Sequence, residues 1–192
     1  EPVELGVLND ANGQYVLDTL RITSEKNMDG TFDEIDITSL MAGYIAFRVS
    51  FFNLNASSYS RPYMRVSKDG GSTWLSTSGD YTRVEHSQAS SSSSLTNDSN
   101  QTRDAIGLTS GNTSDLTDSI NTQAIISGIG ADYALTSRYH ACISKGSAPY
   151  LTDEWGTWCV NDTDAINGIK FFNAWPNNWA TGGKFILEGI PA

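Results

Sequence analysis

Residues 44–52 read YIAFRVSFF, and their alternation decides the fold. In an extended chain Ile45, Phe47, Val49 and Phe51 point to one side, while Tyr44, Arg48 and Ser50 share the other. Only a strand separates the two sets so cleanly. Working outward, Asn12-Gly13 and Asp29-Gly30 are turn dipeptides that precede expected strands at Tyr15–Ile22 and Phe32–Ile37. On the other side, Pro62–Ser67 leads through Lys68-Asp69-Gly70-Gly71-Ser72 into Thr73-Trp74-Leu75, which reads as a hairpin, and Tyr81–Glu85 follows as a short strand. Further strands are expected at Ala105–Leu108, Ile120–Ser127, Ala134–Ser144, Trp155–Val160, Ile166–Asn173 and Lys184–Ile190, with a short helical turn as the alternative over Asp115–Ser119. Short strands with turns at this spacing predict an all-β fold, a two-sheet antiparallel β-sandwich of jelly-roll-like form, built as one domain over residues 1–192.

The bulk properties narrow the partners. Twelve basic residues against twenty-two acidic ones leave a net charge of −10, so nucleic-acid phosphates and anionic lipid are repelled on average. Neither nucleic acid nor a membrane is an expected partner. The opening Glu1-Pro2-Val3-Glu4 has neither the basic nor the apolar region of a signal peptide, and without an initiator Met it is expected to belong to a longer product. After Tyr81–Glu85 the character changes to a run of Ser from Ser87 onward that stays polar to Arg103. With so little apolar surface to offset the entropy of ordering, residues 86–103 are expected to form an exposed Ser-rich loop.

Chemistry-bearing residues are sparse. Cys142 and Cys159 flank a turn-rich stretch, and either a bridge between them or a pair of buried free thiols fits the spacing. His86 sits at the edge of the Ser tract and His140 in an apolar strand, each without a nucleophile or second ligand nearby in sequence. Catalytic and nucleotide-binding fingerprints are lacking, so no enzyme is expected. Asp10 with Asn12, and Asp162 with Asp164, are weak calcium candidates, because hard cations take clustered oxygen ligands; ordinary turn chemistry explains the same residues. No cofactor is expected. Five Asn-x-Ser/Thr sequons begin at Asn55, Asn97, Asn100, Asn112 and Asn161, a number that chance supplies in a chain so rich in these residues.

Two stretches look familiar together: MRVSKDGGSTW at 64–74, following the strand at Tyr44, and INGIKFFNAWPNNWATGGKFILEGI at 166–190. The pair resembles jelly-roll modules of bacteriophage virion proteins, among them tail fibres, receptor-binding tips and capsid decorations. The resemblance implies a virion structural module of capsid-decoration or tail/fibre type, assembled with other virion proteins or with its own subunits as a homotrimer, presenting a surface for assembly or host attachment. Similar hairpins occur in carbohydrate-binding sandwiches. Hence the alternative is a glycan-binding module of a secreted or cell-surface protein; a polysaccharide lyase ranks third, since adjacent Tyr139 and His140 point to opposite faces of a strand. The Trp175-Pro176-Asn177-Asn178-Trp179 loop departs from the resemblance. Trp175 and Trp179, together with Tyr150, Trp155 and Trp158, form the expected partner or ligand surface, because Tyr and Trp supply large rigid contact area.

Overall fold

The computed structural model describes residues 7–10, 13–16, 21–27, 34–37, 44–55, 61–91, 95–109, 118–129, 135–145, 150–174 and 178–191. Their strands are β1 (Val7–Asp10), β2 (Gly13–Val16), β3 (Arg21–Asn27), β4 (Glu34–Ile37), β5 (Tyr44–Leu54), β6 (Pro62–Ser67), β7 (Tyr81–Ala89), β8 (Thr96–Arg103), β9 (Ile106–Gly107), β10 (Ser119–Ser127), β11 (Thr136–Lys145), β12 (Tyr150–Val160), β13 (Gly168–Asn173) and β14 (Lys184–Pro191). Apart from the β1–β2 hairpin they form two sheets, one of eight strands in the order β3-β14-β5-β10-β11-β12-β7-β8 and one of four in the order β4-β13-β6-β9. Every pairing is antiparallel. The chain crosses repeatedly between the sheets, with β14 beside β3 in one and β13 beside β4 in the other. This is the expected antiparallel β-sandwich with jelly-roll-like winding.

The period-two pattern of β5 holds from Phe47 to Phe51 but not at its start, where Ile45 is 54% exposed and Tyr44 packs against the core instead, its ring 5.1 Å from that of Phe47. Phe47, Val49 and Phe51 are fully buried between the sheets, while Arg48 on the opposite face pairs through two 2.6 Å hydrogen bonds with Glu188 of β14. Facing β5 from the small sheet is Phe171 of β13, whose ring lies edge-on to Phe51 at 5.9 Å and 5.5 Å from Phe185 of β14. Met64, Val66 and Ile169 from the small sheet and Ile126, Tyr139 and Leu187 from the large one complete the same apolar cluster.

Several expectations are corrected by the backbone. Most of the tract expected as a loop is paired strand: β7 extends to Ala89, β8 runs from Thr96, and the two pair at the edge of the large sheet, with residues 92–94 outside the described residues. Ladder hydrogen bonds come from the backbone, so an edge strand needs no apolar side chains to pair, and polar ones suit an edge that faces water. The stretch after Ser67 is a compact turn, not the first half of a hairpin; Leu75 alone donates back to Val66, at 2.9 Å. Cys142 and Cys159 are free and half-buried. Their register partners, Asp153 and Thr136, lie six residues apart along the β11–β12 ladder, which separates the thiols by roughly 20 Å of strand. Most of Asp115–Ser119, the expected helical turn, lies outside the described residues.

The Ser67–Thr73 turn is held by its own carboxylate and by a distant Asn. Asp69 accepts hydrogen bonds from Ser67 Oγ, Thr73 N and Thr73 Oγ1. From β13's approach, Asn167 accepts from Gly70 N at 2.7 Å and donates to Lys68 O at 3.0 Å. Gly70 has φ +69°, a conformation that side chains resist. The hydrogen bonds from Thr73 and Ser67 hold the Asp69 carboxyl down at about 2. A carboxyl depressed in the fold adds stability above its unfolded value, and that stability is lost as pH falls from about 4 toward 2. Asp69→Asn is therefore expected to flatten the acid limb: urea titrations between pH 5 and 2 should show a smaller loss of stability in the variant than in the parent protein. An unchanged acid limb, or an Asp69 carboxyl resonance titrating near pH 4, would count against the turn as described.

Candidate functional site

Eight strands over four leave the large sheet with one face in the core and the other, among the described residues, facing outward over β10, β11, β12, β7 and β8. On the open side, β10, β11, β12, β7 and β8 carry a single row in register: Gln123, His140, Trp155, His86 and Asn97. Both histidines of the chain thus flank one tryptophan. His86 stacks on Trp155 with ring centroids 5.6 Å apart and planes inclined by 25°, and its Nδ1 lies 2.5 Å from Asn97 Oδ1. His140 Nε2 lies 2.6 Å from Asp153 Oδ1, and Gln123 donates to Ser50 Oγ at 3.2 Å. Trp155 keeps 39% of its surface exposed despite the stacked His86 ring.

Two residues further along each strand, the next row is Ile125, Arg138, Thr157 and Val84, and beyond it lie Ser127, Thr136, Cys159 and Thr82. Two adjoining hollows of about 470 and 480 Å³ run across these rows, sharing Ile125 and Arg138. Together they form an open groove spanning roughly 13 Å along the strands and 14 Å across them. Its walls mix apolar surface from Trp155, Ile125 and Val84 with the hydrogen-bonding ends of Gln123, His140, Arg138 and Thr157.

The expected surface residues divide. Trp155 is in the groove. Trp158, on the same strand but of opposite parity, faces the core at 2% exposure beneath the Arg83 guanidinium, 5.6 Å from its ring centroid. Trp179 is fully buried, its ring edge-on to Phe51 at 5.5 Å, because Ala180 N donates to Asn55 O at 2.7 Å and pins the loop against β5. Trp158 and Trp179 are thus core residues, not partner contacts. Tyr150 opens β12, with its side chain outside the described structure, and Trp175 lies outside the described residues altogether. The calcium candidates fare no better. Lys68 Nζ sits 2.8 Å from both Asp162 and Asp164, so an ammonium occupies the place between them; its hydrogen bonds hold the Asp162 carboxyl below the usual range. Asp10 ends β1, with its side chain not described, and Asn12 lies outside the described residues.

A second polar cluster, invisible in the sequence, lies on the inner face of β7 and β12 near the end of the small sheet. Glu85 accepts from Arg83 at 2.8 Å and from Tyr139 Oη at 3.1 Å, and Glu154 accepts from Thr109 Oγ1 at 2.5 Å. Burial pushes the Glu85 carboxyl and the Tyr139 hydroxyl up, and Arg83 partly opposes this for Glu85. Gly156 makes room for the Tyr139 ring, since a Cβ there would lie 2.6 Å from it. Two neighbouring carboxylates suit acid-base chemistry in an open cleft. Here both are under 10% exposed and already engaged, so a substrate has no route to them. Each is satisfied by donors inside the fold, Glu85 by Arg83 and Tyr139 and Glu154 by Thr109.

No family model matches the chain. Short segments are similar to 4-hydroxythreonine-4-phosphate dehydrogenases: 97% identity over 32 residues with that of Pseudoalteromonas translucida (strain TAC 125), covering 17% of this chain and 10% of the enzyme. The Colwellia psychrerythraea enzyme shares 63% over 35 residues, covering 18% and 11%. The chain therefore spans only about a tenth of these relatives' length. Among solved structures, a Bacteroides ovatus protein of unknown function aligns with 47% of this chain and 44% of its own at 7% identity and TM-score 0.24. A Thermotoga petrophila laminarinase catalytic domain aligns with 96% and 74% at 10% identity and TM-score 0.21. Scores this low define no shared fold.

The buried cluster yields a direct test. Arg83→Met leaves Glu85 buried without its cation and is expected to cost about 3–5 kcal/mol of stability, whereas adding Glu85→Leu should restore most of it. Denaturant unfolding of the single and double variants measures both. A double variant no more stable than Arg83→Met would show that the pair is not the source of the loss.

Proposed function

We propose that this chain is an attachment module of a bacteriophage virion, of tail or fibre type, which uses its sandwich as a rigid stand and presents the open face of the large sheet to a host surface. The observation that carries the attachment reading is the groove around Trp155, a preformed hollow in which an exposed indole is fixed by His86 and edged by hydrogen-bonding groups. Support for the virion setting comes from the two stretches that resemble phage modules. They are joined in space: β14 pairs with β5, β13 pairs with β6, and Asn167 clasps the turn after Ser67. The pattern is thus one structural unit, as a shared module requires. Assembly with its own subunits as a trimer belongs to the same proposal. The groove also suits a carbohydrate-binding module of a secreted or cell-surface protein, and the presence or absence of the chain on particles separates the two.

The test is made on particles. An antibody against the chain should label purified virions, and the soluble chain should compete with virion adsorption to host cells. Trp155→Ala is expected to weaken that competition about 30-fold, the loss of a roughly 2 kcal/mol anchor, with the melting temperature little changed. Unlabelled virions, or a variant that competes as well as the parent, would overturn the reading.

A further inference from the structure

We infer that the Trp155 groove takes an anionic glycan, with its sugar face on Trp155 and its carboxylate or sulfate on Arg138. This rests on the attachment reading above and specifies the ligand. Charge distribution is the first argument. Acidic residues outnumber basic ones by twenty-two to twelve in the chain, yet the residues lining the two hollows include Arg83, Arg138 and His140 and not one carboxylate. Of these cations Arg83 is spent on buried Glu85, and His140 sits beside Asp153 at the groove's border. Arg138 is different. It is exposed, lines both hollows, and no hydrogen bond or ion pair engages its guanidinium among the described residues. A guanidinium left open between two hollows is a fork suited to a planar or tetrahedral oxyanion.

Geometry supplies the second argument. Arg138 and Trp155 stand on adjacent strands: Arg138 faces Thr157 in the ladder, and Thr157 is two residues from Trp155 on the same side of β12. Diagonal neighbours of this kind stand about 7–8 Å apart, their Cβ atoms somewhat closer, within reach of a long arginine side chain. A sugar ring stacked on Trp155 would therefore carry an acidic substituent toward Arg138. Hydroxyl groups on the ring would meet Gln123 and His140, which supply both donor and acceptor atoms. An extended apolar peptide fits less well, since the groove floor is broken by Thr157 and Arg138. Nucleic acid would meet one open guanidinium among the described groove residues, against a strongly negative chain.

The full chain is titrated calorimetrically with three probes: an oligogalacturonate, a sulfated carrageenan oligosaccharide and neutral maltotetraose. Binding of one or both anionic probes, weakened by added salt, with no binding of maltotetraose, is the expected result. The first two probes tell a carboxylated ligand from a sulfated one. Arg138→Ala should reduce that affinity about tenfold or more and Arg138→Lys by less, while Trp155→Ala reduces it about 30-fold, each variant keeping the parent's melting temperature. Equal affinity for maltotetraose, or an Arg138→Ala variant that binds like the parent, would overturn the inference. If none of the three binds while Trp155→Ala still impairs competition for host adsorption, the glycan assignment falls and attachment stands; if adsorption is also indifferent to Trp155, both fall.

Discussion

The edge-to-face meeting of Phe51 with Phe171 is the contact on which the rest of the molecule depends. One ring comes from the large sheet and the other from the small, 5.9 Å apart, and Phe185 and Trp179 pack around them. Aromatic rings bury more area per residue than any aliphatic side chain and resist sliding because their edges and faces carry opposite partial charge. The cluster therefore sets both the spacing of the sheets and their relative position. Since β5 and β14 supply Phe51 and Phe185, the centre of the large sheet is fixed by the same contact that brings in the small one. The KDGGS turn and its Asn167 clasp continue from β6 and β13, so the turn geometry is inherited from this central packing.

What the inner contact fixes, the outer face exploits. A four-stranded sheet cannot cover an eight-stranded one, and the excess is handled differently on the two sides. Inward, β7 and β12 carry Arg83, Glu85 and Glu154, charged groups that survive burial only by engaging each other, Tyr139 and Thr109. Outward, the same strands carry Trp155, His86 and Thr157. The two rows alternate along one backbone, so the buried network also restrains the strands that display the groove. Gly156 sits at this crossing, its missing Cβ admitting Tyr139 on one side while Trp155 points out on the other.

Alternation within a strand was legible from the chain, and pairing between strands was not. YIAFRVSFF announced β5 because its two faces differ in polarity along consecutive residues. The Ser tract concealed the second half of β7 and all of β8 because an edge ladder rests on backbone hydrogen bonds, which leave no hydrophobic mark. The burial of Trp179 was hidden for a related reason: a residue in a Pro/Asn loop has no period to follow, and the Ala180–Asn55 bond that holds its neighbour beside β5 is a contact distant in sequence. Trp158 was separable from Trp155 by parity alone, three positions apart on one strand. The groove itself could not be read, because His86, Trp155 and His140 become neighbours only through two registers set far apart in sequence.

A binding face built on strands differs physically from one built on loops. Ladder bonds on both flanks of β12 hold Trp155 in place before any ligand arrives, so little ordering entropy remains to be lost on binding. The stacked His86 ring adds to this by restricting the indole from one side. Arg138 stands with its guanidinium open in hollows whose lining residues include no carboxylate, although the chain as a whole carries a net charge of −10.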